Sequence, residues 1–133
     1  MFTQRTALRW SDYDALQHVN NVRYFEFMQD ARIGFIENLG IDRSTLTVTG
    51  HVVARAEIDY LKPVELDVRE ILVHIWVERI GGASYDIAYE FIDGAGTVYA
   101  KAKTVMVTVD MSTQTVIRVP DDLRVHLERG LKS

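Results

Sequence analysis

The 133-residue sequence predicts an α+β fold in which one antiparallel sheet curves around one long helix. Three observations carry this reading. From Val22 to Leu39, apolar residues recur at spacings of three and four, the helical period, around most of the circumference. Beyond residue 50, four segments of strand-like composition follow in succession. Two of the turns between them, Gly81-Gly82 and Asp93-Gly94-Ala95-Gly96, have the composition of hairpin loops. The resulting order of strand, long helix and run of strands packs as helix on sheet.

Taken in order, residues 2–10 read as a first strand with Leu8 and Trp10 on one side, and Ser11 to Gln17 as a loop. Asp and Asn side chains hydrogen-bond nearby backbone amides, so Asn20 or Asn21 is expected to cap the helix that follows. Tyr24, Phe25, Met28, Ala31, Phe35, Ile36 and Leu39 form its apolar face, and Phe27 and Ile33 widen it. Arg23, Glu26, Asp30 and Glu37 leave a narrow polar stripe. Gly40 supplies a left-handed C-terminal cap. A turn-rich passage over 41–50 leads to a strand over 51–61, closed by Lys62-Pro63 because proline cannot continue a central ladder. Residues 67–80 alternate Ile71, Val73, Ile75 and Val77 with Glu70, His74, Trp76 and Glu78. Tyr85, Ile87, Tyr89 and Phe91 alternate in the same way with Ser84, Asp86, Ala88 and Glu90. In residues 97–109, Ala100, Ala102, Thr104 and Met106 share one face, where the alanines are expected to admit the helix backbone. A short strand around 114–119 and a small helix over 121–131, opened by Pro120-Asp121-Asp122, complete the chain.

Length, 47% hydrophobic and 26% charged residues fit a single globular domain over residues 1–133. A formal charge of −4 with scattered Lys and Arg provides no basic stripe for nucleic acid. No stretch approaches the ~18 apolar residues of a membrane span, and Arg5 and Arg9 interrupt the start of the chain where a signal peptide is apolar. A cytoplasmic location is the expectation. Without cysteine there is no disulfide, thiolate nucleophile or Cys-type zinc site, and the four histidines lack paired metal-ligand spacing.

Chemistry concentrates where Asp12, Asp14, His18, Asn20 and Asn21 precede the long helix. A carboxylate beside a helix N-terminus suits acyl transfer: it can attack a carbonyl carbon or activate water, while free amides hold the oxygen as it gains charge. The same residues also read as ordinary turn and cap residues, and spacing alone leaves both readings open. His18 equally reads as an acid or base, an orienting donor, or a histidine held by its loop.

The stretch Arg9-Trp10-Ser11-Asp12-Tyr13-Asp14-Ala15, followed by His18-Val19-Asn20-Asn21 and Tyr24, resembles the N-terminal motif of hotdog-fold acyl-CoA thioesterases of the 4-hydroxybenzoyl-CoA thioesterase-like group. The His18-Val19-Asn20-Asn21 segment also resembles plant acyl-carrier-protein thioesterases. Asp30-Ala31-Arg32, Glu57-Ile58-Asp59-Tyr60-Leu61-Lys62-Pro63 and the Ser84 hairpin are similar to the same family, so the resemblance covers nearly the whole chain. It implies a hotdog fold and an acyl-CoA thioesterase that releases a free acid and CoA, with neither metal nor redox cofactor. It further implies homodimers or homotetramers with active sites at subunit interfaces. By position, Asp14 matches the catalytic carboxylate and the backbone amide of Asn21 the oxyanion donor, while His18 and Tyr24 line the thioester pocket. Some aryl-CoA members carry basic residues just before the Ser84 position, where this chain reads Gly81-Gly82-Ala83. Lys62, Arg79 and Lys101 are the candidate replacements for substrate contact. Leu16-Gln17 occupies a place where many relatives have a small residue or glycine. Three other readings share the fold: a non-catalytic acyl-CoA-binding module, a hydratase or dehydratase, and an acyl-carrier-protein thioesterase.

Overall fold

The computed structural model describes residues 1–42, 44 and 48–132. Part of the turn-rich passage expected over 41–50, residues 43 and 45–47, lies outside the described residues. Strand β1, Phe2–Ala7, stops short of the expected residue 10. The Asp12 carboxylate accepts from the Arg9 amide at 2.7 Å and from its guanidinium at 3.1 Å. These bonds fold Trp10–Asp12 into a 3-10 turn and leave Trp10 83% exposed.

Helix α1, Asn21–Asn38, starts where its cap dictates: the Asn20 side chain accepts from the Val22 amide at 2.9 Å. It ends ahead of Gly40, whose φ of +85° is the left-handed conformation expected of it. Tyr24, Phe27, Met28, Ala31, Phe35 and Ile36 are buried. Phe25 and Ile33 depart from the expected buried face, at 47% and 39% exposure. Nine residues at 100° each carry Ile33 to the side of the helix opposite Tyr24, so the buried face is narrower than composition implies.

The remaining elements are β2 (Thr49–Tyr60), β3 (Glu70–Ile80), β4 (Ser84–Ile92), β5 (Val98–Asp110), β6 (Thr115–Val116) and α2 (Asp121–Glu128). All pairings are antiparallel, in the order β1-β3-β4-β5-β2, with β6 on β5. Strands β1 and β2 are therefore the two edges of the main path. This is the hotdog arrangement, with the helix on one face of the sheet. Cross-strand register puts Val73 opposite Phe91, Phe91 opposite Ala100, and Ala100 opposite Tyr60. That row, with Ile71, Ile75, Val77, Tyr85, Ile87 and Tyr89, builds a core closed from the other side by Phe35, Met28 and Leu127.

The helix backbone comes nearest to β1 and β3, not to the alanines of β5. Gly34 lies at this approach, where a Cβ would stand 2.9 Å from Gln4 Oε1 and 3.4 Å from the Phe2 ring. Helix α2 ends at Glu128 because the chain must turn back into the core. Gly130 accepts from the Val77 amide at 2.8 Å, beside a register shift in β3, with Phe35 Cζ 2.8 Å from where a Cβ would stand.

Candidate active site

The loop between β1 and α1 is a small hairpin built by its own polar groups. Tyr13 bridges Val19 across it, the Asp14 amide donates to the His18 carbonyl at 3.0 Å, and the Gln17 amide donates back to Asp14 at 2.9 Å. Gln17 sits at φ +63°, a conformation that favours glycine and explains why small residues suit this place. Three ties dock the hairpin. The Val19 amide donates to Val64, the Asn20 amide to the Asp12 carbonyl, and the Tyr13 hydroxyl to the Val68 carbonyl at 2.6 Å. Asp12 is wholly buried, held by Arg9 and approached by Arg23 Nε at 3.7 Å, so its charge is spent on the scaffold. Asp14 is half-buried as a residue, and one oxygen of its carboxylate accepts the Leu16 amide at 2.9 Å.

The elements converge on a cavity of about 290 Å³ lined by Asp14, His18, Asn21, Tyr24, Tyr60 and Lys62, among others. Asn21 is the first residue of α1, where amides have no carbonyl one turn back to bond. Among the described residues none accepts its N–H. Tyr24 is buried against Phe91 at 5.0 Å and Tyr60 at 5.1 Å, both edge-on, and burial pushes its phenol up to about 12. Asp14, His18, Asn21, Tyr24 and Lys62, five of the seven residues that the family resemblance singled out, thus meet in one place.

Arg79 does not join them. Val73 lies in the row that reaches Tyr24 through Phe91, and Arg79 is six residues farther along β3, about 20 Å at ~3.3 Å per residue. There it donates to both oxygens of Asp86 and to Ser84 Oγ. Burial pushes the Asp86 carboxyl up, but Arg79, then Lys103, more than offset it and hold it below its ordinary value. Lys101 lines a different depression, of about the same volume, on the sheet face away from the helix. Charges pair there, Lys103 with Glu78 at 3.6 Å and Asp86 at 3.4 Å, and no helix start faces it. Tyr60 was not singled out by sequence reasoning, although it stands within the family-like segment Glu57 to Pro63. Its hydroxyl donates to the Asn21 carbonyl at 3.3 Å.

A family model described as the thioesterase-like superfamily matches residues 8–127, nearly the whole chain. The chain belongs to this superfamily. Within the superfamily it is 32% identical over 124 residues to the long-chain acyl-CoA thioesterase FadM of Escherichia coli K12, covering 90% of this chain and 91% of that protein. Among solved structures it resembles the probable thioesterase YbaW of Escherichia coli, with a TM-score of 0.88 and 28% identity, covering 99% of this chain and all of the other. A thioesterase-superfamily structure from Jannaschia sp. CCS1 matches the fold with a TM-score of 0.90 at 19% identity, covering 99% and 94% of the two chains. The chain is a hotdog-fold thioester hydrolase.

Proposed function

We propose that the protein hydrolyses acyl-CoA thioesters to a free acid and CoA, with Asp14 and the Asn21 amide as its reacting groups. One observation carries this reading: the Asp14 carboxylate and the free amide of a helix start share one cavity. The substrate class follows that of the Escherichia coli relative, an acyl-CoA thioesterase. The thioester carbonyl oxygen would sit against the Asn21 N–H, where the helix end favours negative charge. Asp14 then either attacks the carbonyl carbon or takes a proton from the attacking water. Both routes form a tetrahedral oxyanion whose collapse breaks the C–S bond and expels CoA as thiolate. Direct attack leaves the acyl group as an anhydride on Asp14, which water then hydrolyses to the free acid. Attack by water gives the acid at once, and the proton held by Asp14 passes to the departing thiolate. His18 and Tyr24 would shape the pocket around the thioester.

Lys62, on the cavity rim, suits the CoA phosphates or pantetheine. Arg79 would reach a substrate only from another subunit, since in its own chain it stands at the other end of the strands. The free edge of β2, with Val52 and Val53 exposed, supports edge-to-edge pairing of two copies, and pairs of dimers would make the tetramer. We read residues 1–133 as one catalytic domain working in the cytoplasm. No helix among the described residues is long and apolar enough to cross a membrane.

Asp14→Asn is the appropriate test because asparagine keeps an oxygen for the Leu16 amide and loses only the charge. CoA release from an acyl-CoA panel should fall by about 10²–10⁴-fold at unchanged thermal stability. Near-normal turnover in the folded variant would remove Asp14 from the reaction. Following enoyl absorbance in the same assay separates hydrolysis from hydration.

A further inference from the structure

We infer that the Tyr60 ring is the end wall of the acyl pocket and sets the length of acyl chain that this hydrolase accepts. The inference rests on the acyl-CoA reading above and adds the residue that limits the substrate.

The cavity has two aromatic residues at one side, and they differ in how firmly they are held. Tyr24 is 4% exposed and packed between Phe91 and Tyr60, with Phe27 beyond, so its position belongs to the core. Tyr60 is 48% exposed and stands at the last position of an edge strand. Its ring meets Tyr24 at 87°, and its hydroxyl crosses to the Asn21 carbonyl. The ring therefore spans the gap between the end of β2 and the start of α1, the two walls of the cavity. Behind β2's exit, the amides of Leu61 and Lys62 both donate to the Tyr99 carbonyl, which fixes the strand end that carries it.

What lies past the ring is aliphatic. The next helix-facing positions of β2 are Ile58 and Ala56, paired with Ala102 and Thr104 of β5, while Tyr60 itself pairs with Ala100. Ala56 is exposed and Ile58 half-buried, so beyond the tyrosine this face of β2 carries aliphatic side chains against which an acyl chain can lie. With the ring in place the cavity holds about 290 Å³, at the small end of ligand pockets, which run from about 300 Å³ upward. A short acyl tail ends against the ring. A longer one would have to displace it, breaking the bond to Asn21 and the edge contact with Tyr24.

The test is chain-length preference, measured as kcat/KM over a series of straight-chain acyl-CoAs for the wild type, Tyr60→Phe and Tyr60→Ala. The wild type should gain with each methylene up to a cut-off and then fall. Tyr60→Phe keeps the ring and should keep the cut-off. Tyr60→Ala should move it to longer chains, each newly accommodated methylene contributing about fourfold. Should the alanine variant fail to fold by circular dichroism, Tyr60→Leu shortens the wall with less loss of packing and should move the cut-off less far. Binding of S-alkyl-CoA thioethers by calorimetry repeats the comparison without turnover, so an absence of hydrolysis would count against the catalytic reading and leave the wall measurable. An unmoved cut-off, a uniform loss at every length, or a wild type without a cut-off would each overturn the inference.

Discussion

Asp12 and Asp14 stand two positions apart, and their surroundings divide the work between them. Asp12 is sealed from solvent with Arg9 and Arg23 about it, which makes it a brace for the loop and the helix start. Asp14 gives one oxygen to the Leu16 amide and stands at the cavity. His51 shows the same control by environment away from the cavity. Its Nδ1 lies 2.6 Å from the Tyr85 hydroxyl, and burial lowers its pKa to about 4. An unfolded chain titrates near 6.5, so below that value the unfolded state binds a proton that the folded state refuses. The stabilising effect of a neutral His51 is full above about pH 6.5 and declines as the pH falls towards about 4. Urea midpoints should drop between about pH 7.5 and about pH 5, and His51→Gln should flatten that drop. A variant with the wild-type pH response would assign the effect to other groups.

At the scale of elements, two glycines that serve close packing differ in what they face. A Cβ at Gly34 meets Gln4 Oε1, the far end of a flexible side chain. Gly34→Ala should therefore let Gln4 swing aside and gain up to about 1 kcal/mol of helix propensity. A Cβ at Gly130 meets Phe35 Cζ at 2.8 Å and Val77 Cγ2 at 3.0 Å, both in the packed core. Gly130→Ala should cost about 1–3 kcal/mol, because neither neighbour can retreat. Thermal melts of the two variants should shift in opposite directions, and equal shifts would refute this account of how α1 and the chain after α2 dock. The same docking aims the Asn21 amide: Asn20 caps the helix, Asn20 and Val19 tie to Asp12 and Val64, and Tyr60 holds the first turn from β2.

For the whole molecule, the open edge of β2 beside the cavity makes assembly and activity one question. Val52→Lys combined with Val53→Lys places charge on both faces of that edge, which opposes strand pairing. If two copies join there, light scattering should show a wild-type dimer or larger species and a smaller variant with reduced turnover. A wild type that scatters as a monomer, or a variant of unchanged mass, would exclude this edge as the interface. Periodicity alone specified the long helix, the alternating faces of β3 and the hairpin turns on either side of β4, because burial on one face writes itself into residue order. Strand β4, central in the sheet, is instead buried on both faces from Tyr85 to Tyr89. Local chemistry likewise marked Asn20 or Asn21 as a cap and Gly40 as a stop. The extent of β1, the narrow buried face of α1 and the site of closest helix approach were not legible, since each depends on partners distant in sequence. Asp12 and Asp14 carry the same side chain; motif position pointed to Asp14, and packing supplies the physical difference between the brace and the group at the cavity. Sequence by itself determined the elements, the family-like motif and the residues able to do acyl chemistry. Tertiary structure decided that Asp14, Asn21, Tyr24 and Lys62 meet, that Tyr60 joins them, and that Arg79 stands at the far end of the strands. The reason is physical: side-chain alternation is local, whereas register and strand order bring together residues that no spacing rule connects.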